Sequence, residues 1–133
     1  YNAMCLLGGR QELADVIGEF EDNGLPLLGG ALGTDPRRLP EYFAAHGVDC
    51  VPRKKGTLSP GVYLCSYTAL SLLQGGRGLH TVALHVTPSC VTVYNERDDA
   101  AAAAQYPTAA AFFKGKTVAA LFCVSAAKNA HGA

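Results

Sequence analysis

The sequence predicts an α+β domain in which N-terminal helices pack on a small antiparallel β-sheet. Three observations carry that prediction. Apolar residues recur at helical spacing as far as His46-Gly47, and beyond it the dominant pattern is alternation. The helical and alternating stretches are largely segregated along the chain, which favours α+β over interleaved α/β. Finally, Gly78-Leu79-His80-Thr81-Val82-Ala83-Leu84-His85-Val86 and Cys90-Val91-Thr92-Val93-Tyr94-Asn95 are β-branched runs joined by Thr87-Pro88-Ser89, the chemistry of a β-hairpin.

The elements follow in order. Tyr1 to Leu7 reads as the end of a helix stopped by Gly8-Gly9. Gln11 to Asn23 carries Leu13, Val16, Ile17 and Phe20 on one face, and Asn23-Gly24 ends it. Leu25 to Gly33 is apolar yet glycine-rich and reads as a buried loop. Thr34-Asp35-Pro36 predicts a helix start, with a capping side chain before a proline whose missing N–H is harmless there. That helix turns Leu39, Tyr42 and Phe43 inward.

Val48 to Pro52 is a short strand, Arg53 to Pro60 a polar loop, and Gly61 to Tyr67 a strand. Thr68 to Leu73 fits either a strand continuation or a helical turn. Gln74 to Gly78 reads as a flexible turn, a hairpin tip rather than a lid. Asp98-Asp99 can cap a short helix over Ala100 to Ala104, which Tyr106-Pro107 interrupts. Ala109 to Phe113 is helical and Lys116 to Ser125 is the last strand. Residues 1–127 thus form one domain, and Lys128 to Ala133 reads as a disordered tail.

At 133 residues the chain is long enough for one substantial core. Lys+Arg 11 against Asp+Glu 11 leaves no net charge, and no basic cluster exceeds Arg53-Lys54-Lys55. That argues against a nucleic-acid partner. No apolar run reaches the length of a membrane helix, so no membrane insertion is expected. The five cysteines are scattered without a C-x-x-C pair, which suggests reduced thiols and a cytoplasmic setting. No metal ligand spacing is present, and neither a metal nor another cofactor is expected.

In the predicted hairpin, His80 begins the first strand and Asn95 ends the second. A turn centred on Pro88-Ser89 sets Val86 opposite Val91 and Val82 opposite Asn95, so His80 lies diagonal to Asn95 on one face. A one-residue slip would separate them. A histidine beside an asparagine is two members of a Cys-His-Asn site, although a strand histidine is commonly structural. His85 falls on the opposite face beside Tyr94 and reads as structural. Cys65, Cys90 and Cys123, assigned to strands, are expected in the core, with Cys50 partly exposed.

With its Gly-Gly turn, its Gly33-Thr34-Asp35-Pro36 helix start and the His80 to Asn95 pattern, the chain resembles the C39-like branch of the papain-like cysteine peptidases. Phe112-Phe113-Lys114-Gly115 before an apolar strand also looks like that family's end. The resemblance runs from about Tyr1 to Ser125. It implies a papain-like fold, with His80 as general base and Asn95 as its orienter. It also implies a nucleophile in a Cys-Gly at the start of the first helix, behind a Gln. This sequence has neither, and the equivalent position would fall one to two turns before Tyr1. Cys5 is the remaining candidate nucleophile; in an apolar helical stretch it is expected to be an inert core thiol.

Two functions follow from the resemblance. One is a thiol peptidase or amide hydrolase, its nucleophile supplied from upstream. The other is a non-catalytic papain-like module that binds a peptide or protein partner. A helix entered midway would also leave apolar surface for a second copy to cover, giving a homo-oligomer.

Overall fold

The structure is a computed structural model in which residues 2–7, 36–71, 76–94, 96 and 103–126 are described. The expected helix Gln11–Asn23, the loop to Gly33, Thr34-Asp35, Asn95, Asp98-Asp99 and the 128–133 tail lie outside those residues. The described chain is α+β: α1 (Asn2–Leu6), a 3-10 turn (Pro36–Arg38), α2 (Leu39–Ala45), β1 (Val48–Pro52), β2 (Gly61–Ser71), β3 (Gly76–Val86), β4 (Val91–Tyr94), β5 (Ala104–Tyr106), α3 (Ala109–Phe113) and β6 (Val118–Ala126). The strands form one six-stranded sheet in the order β1-β6-β2-β3-β4-β5. Every pairing in it is antiparallel.

Alternation along the strands divides the sheet into two faces, each with its own core. On the first, Val62, Leu64, Ala83, Phe122 and Val124 pack with Ala3 of α1 and with Leu39, Tyr42 and Phe43 of α2. On the second, Tyr63, Cys65, Tyr67, Val82, Leu84, Val91, Val93 and Leu121 pack with Ala109, Phe112 and Phe113 of α3. The inward set predicted for α2 is therefore correct.

The α2 helix begins at Leu39 rather than directly after Pro36. A second proline, Pro40, explains the delay. Proline is tolerated only in a first turn, where its absent N–H has no partner to lose. Starting α2 at Leu39 places Pro40 there, and residues 36–38 form the tighter 3-10 turn ahead of it. At the other end Gly47 adopts φ 70°, the left-handed geometry that stops a helix, and β1 follows at once.

The strand extends through Thr68 to Ser71, settling that ambiguity. Gly76 to Gly78, expected in a turn, instead pair with Ala69 to Ser71. The ladder already running between β2 and β3 continues through these glycines and overrides their turn preference. Ala104, expected in a helix, opens the edge strand β5, where it pairs with Val93. Cys90 is not in a strand. Its backbone N–H donates to Thr87 Oγ1 at 3.2 Å, and its carbonyl accepts from the Thr87 backbone N–H at 2.9 Å, closing the predicted turn. The Val86–Val91 pairing of that hairpin is as expected.

Candidate functional site

His80 lies in the interior of β3, not at its start, because that strand begins at Gly76. It pairs with Tyr67 of β2. The two rings meet edge to face with centroids 5.7 Å apart. Tyr67 and Val82 both belong to the second core, so the half-buried imidazole stands on the α3 face of the sheet. Directly behind this pair, on the first face, Ser66 and Thr81 share a hydroxyl–hydroxyl hydrogen bond of 2.7 Å.

Around Tyr67 the sheet carries a cluster that sequence reasoning missed. Lys116 follows α3 and donates from Nζ to the Phe112 carbonyl at 2.8 Å. A cation bonded to one of the last carbonyls suits the negative end of a helix. The same ammonium lies 4.4 Å from the Phe112 ring centroid, 5.5 Å from that of Tyr106 and 5.6 Å from that of Tyr67. Glu96 supplies the counter-charge: its Oε1 is 3.4 Å from Lys116 Nζ and accepts from the Tyr106 hydroxyl at 2.6 Å. Only about a sixth of either charged side chain is exposed (18% and 15%), so little water screens the pair.

The cluster also holds protons in place. Burial pushes the Tyr67 phenol up to about 12, and the negative charge of Glu96 adds to the rise. Burial likewise raises the Cys65 thiol to about 12, against the opposing pull of Lys116 and Lys55. Lys116 four residues after the buried Phe112 is a helix-end signal that the sequence does carry. Its pairing with Glu96 joins residues 20 apart and has no local signature.

All five cysteines are described, and none meets His80 as a nucleophile would. Cys5 is exposed rather than in the core. Ala3, Leu6 and Leu7 supply the packed side of α1, and Cys5, about 200° around the helix from Ala3, faces away. Moreover α1 covers the first face of the sheet and His80 stands on the second, so the backbone layer lies between them. Cys65 is diagonal to His80 on the same face but fully buried, with its thiol held protonated. Cys90 lies at the hairpin turn level with Thr87, about 23 Å of strand from His80 at the ladder's rise per residue. Cys123 opposes Tyr63, roughly four residues along from Tyr67. Cys50 packs against the first core, and burial, followed by the nearby Cys123, raises its thiol to about 11. His85 is on the first face, opposite Thr92 and diagonal to Tyr94. Asn95, the expected orienter, lies outside the described residues.

Two adjoining clefts open beside this cluster. One, of about 460 Å³, is lined by Arg53, Lys55, Lys116 and the 117–121 segment. The other, of about 420 Å³, shares Lys55 and Lys116 and adds Lys114. Among the described residues no group of three or more His, Cys, Asp or Glu is placed to hold a metal. No helix among them is long and apolar enough to cross a membrane.

The fold and the cluster define the chain at the level of class: an α+β protein whose antiparallel sheet is packed on both faces and carries a half-buried cation–carboxylate–aromatic group. No family model, curated protein or solved structure matches the sequence.

Proposed function

We propose that this chain is a papain-like module, homologous to C39-like peptidases, that holds an extended peptide without cleaving it through its own thiols. The supporting observation is the separation of every thiol from His80. Thiol catalysis needs the sulfur within hydrogen-bond reach of its base, about 2.6–3.2 Å. The one exposed thiol on an N-terminal helix, Cys5, has the sheet between it and the imidazole. The thiol diagonal to His80, Cys65, keeps its proton to about pH 12 and is closed to solvent. Binding without cleavage asks nothing of either. It requires only side chains within reach of an accessible edge, and the half-buried His80 and Lys116 beside the 118–120 edge of β6 supply these.

The test incubates the reduced protein with a degenerate peptide pool and, separately, with a thiol alkylator. The expected result is that peptides co-elute with the protein uncleaved. Cys5 should be alkylated at the same rate in the parent and in His80→Ala. Peptide products that vanish in His80→Ala, or Cys5 alkylation that slows in it, would establish the peptidase reading instead. Failure to retain any peptide would overturn the binding reading.

A further inference from the structure

One side of β6 is paired along less of its length than the other. On one side β6 pairs with β2 from Val118 through Val124, while on the other β1 accompanies it only from Ala126 to Phe122. Pro52 ends β1, and the last contact beyond it is the Arg53 N–H donating to the Leu121 carbonyl at 2.8 Å. Val118 to Ala120 therefore have no strand partner on that side among the described residues. Opposite the gap, the register of β6 against β2 shifts between Ser66 and Tyr67 and makes Ala119 the extra residue of a bulge. Bulges of this kind re-aim a strand where its regular pairing ends.

The notch is also charged in one sense. Arg53, Lys55 and Lys116 line it, and no carboxylate does. Lys116 already has Glu96. Arg53 and Lys55 have no acidic partner among the described residues, and the Arg53 guanidinium is turned onto the Pro52 carbonyl at 3.2 Å.

We infer that the 118–120 edge of β6 is a docking site for an extended acidic peptide, which adds to the sheet in line with β1 and sets its carboxylates against Arg53 and Lys55. Three residues of edge span roughly 10 Å. Main-chain hydrogen bonds to that edge supply affinity, and the two cations supply the choice of sequence. The inference rests on the peptide-binding reading and names its partner class. A nucleic acid or a polyanionic sugar would meet the same charge but has no N–H and C=O ladder to offer β6.

Fluorescence anisotropy tests it with a labelled peptide of alternating Glu and Val, about eight residues long so that it covers the open edge and overhangs it on the side away from β1. The peptide should bind. Arg53→Glu/Lys55→Glu, both on the exposed loop, should weaken it about tenfold or more. N-methylation of alternate peptide amides, which keeps every charge but removes ladder donors, should weaken binding in one of the two phases by a similar factor. Equal binding of both N-methylated phases, or equal binding of an oligonucleotide of matched charge, overturns strand addition. A Lys-Val peptide preferred over the Glu-Val peptide overturns the inference while leaving peptide binding standing. Loss of binding for peptides of every charge removes both.

Discussion

The two faces of the sheet are cored in different ways. The first is covered by α1 and α2, whose Ala3, Leu39, Tyr42 and Phe43 meet Val62, Leu64, Ala83, Phe122 and Val124 of the sheet, with Tyr42 and Phe43 in edge contact. The second is covered by the five-residue α3 and relies on rings, with Phe112 in edge contact with Tyr67, Tyr106 and Phe113. A helix this short cannot hold its own shape in water. Its position depends on Phe112 from one side, on the Thr108 cap at its start, and on Lys116 at its end. The second face is thereby tied to polar contacts at both ends of its covering helix, and the clefts open beside the one at Lys116. Helical cover stabilises the first face. On the second, aromatic packing and a half-buried charge pair stabilise and also present chemistry to solvent.

The largest expected effect that sharpens this contrast is Phe112→Ala. It should cost about 3–5 kcal/mol in urea unfolding, since the ring is fully buried and supports three others. Leu64→Ala on the first face should cost about 2–5 kcal/mol. A Phe112→Ala loss under about 1 kcal/mol would show that the second face is not an independent core. Next, Lys116→Met should cost about 2 kcal/mol, less than for a fully buried pair because some water reaches it. Adding Glu96→Gln should recover part of that loss, and a double-mutant cycle that closes to zero would dissolve the pairing.

Thr108→Ala removes the hydroxyl that accepts from the Ala111 N–H at 3.1 Å and should cost about 1 kcal/mol. The smallest effect near neutral pH is titration of the second face. Cys65 and Tyr67 are raised to about 12 from ordinary values of 9.0 and 10.0. The unfolded chain therefore releases these protons first. Their contribution to stability is complete below about pH 9 and is lost as pH rises toward 12. The urea midpoint of the parent should fall steeply over that range, and that of Tyr67→Phe less so. Identical slopes would remove the phenol from the account.

Much of this architecture was legible in the sequence. Val48 to Pro52 and Ala109 to Phe113 are bounded as expected, because a glycine turn and a threonine cap mark them locally. The hairpin register was readable from the turn at Pro88-Ser89. Three things were not. Gly76 to Gly78 read as loop because glycine's local preference carries no information about the strand waiting opposite. Cys5 read as core because a stretch as short as Asn2 to Leu6 does not reveal which side of its helix is covered. The Lys116–Glu96 pair was invisible because the fold alone brings those residues together. Alternation made it legible that His80 shares a face with Val82, but its position inside β3 was not, because the glycines before it read as loop.

The strand order has a consequence for how the chain reaches its fold. β6 lies between β1 and β2, so these two strands, neighbours in sequence, never pair with each other. β2, β3 and β4 join through short hairpins and can assemble from local contacts alone. β1 must wait for a partner that begins 66 residues beyond its own last residue, Pro52 to Val118. Closing such a loop costs entropy before any contact rewards it, and it slows folding more than it alters stability. In pulsed hydrogen exchange during refolding, amides of β2 and β3 should gain protection first and those of β1 last. Until β6 docks on β2, β1 has no strand to pair with, and its addition to the outer side of β6 completes the sheet.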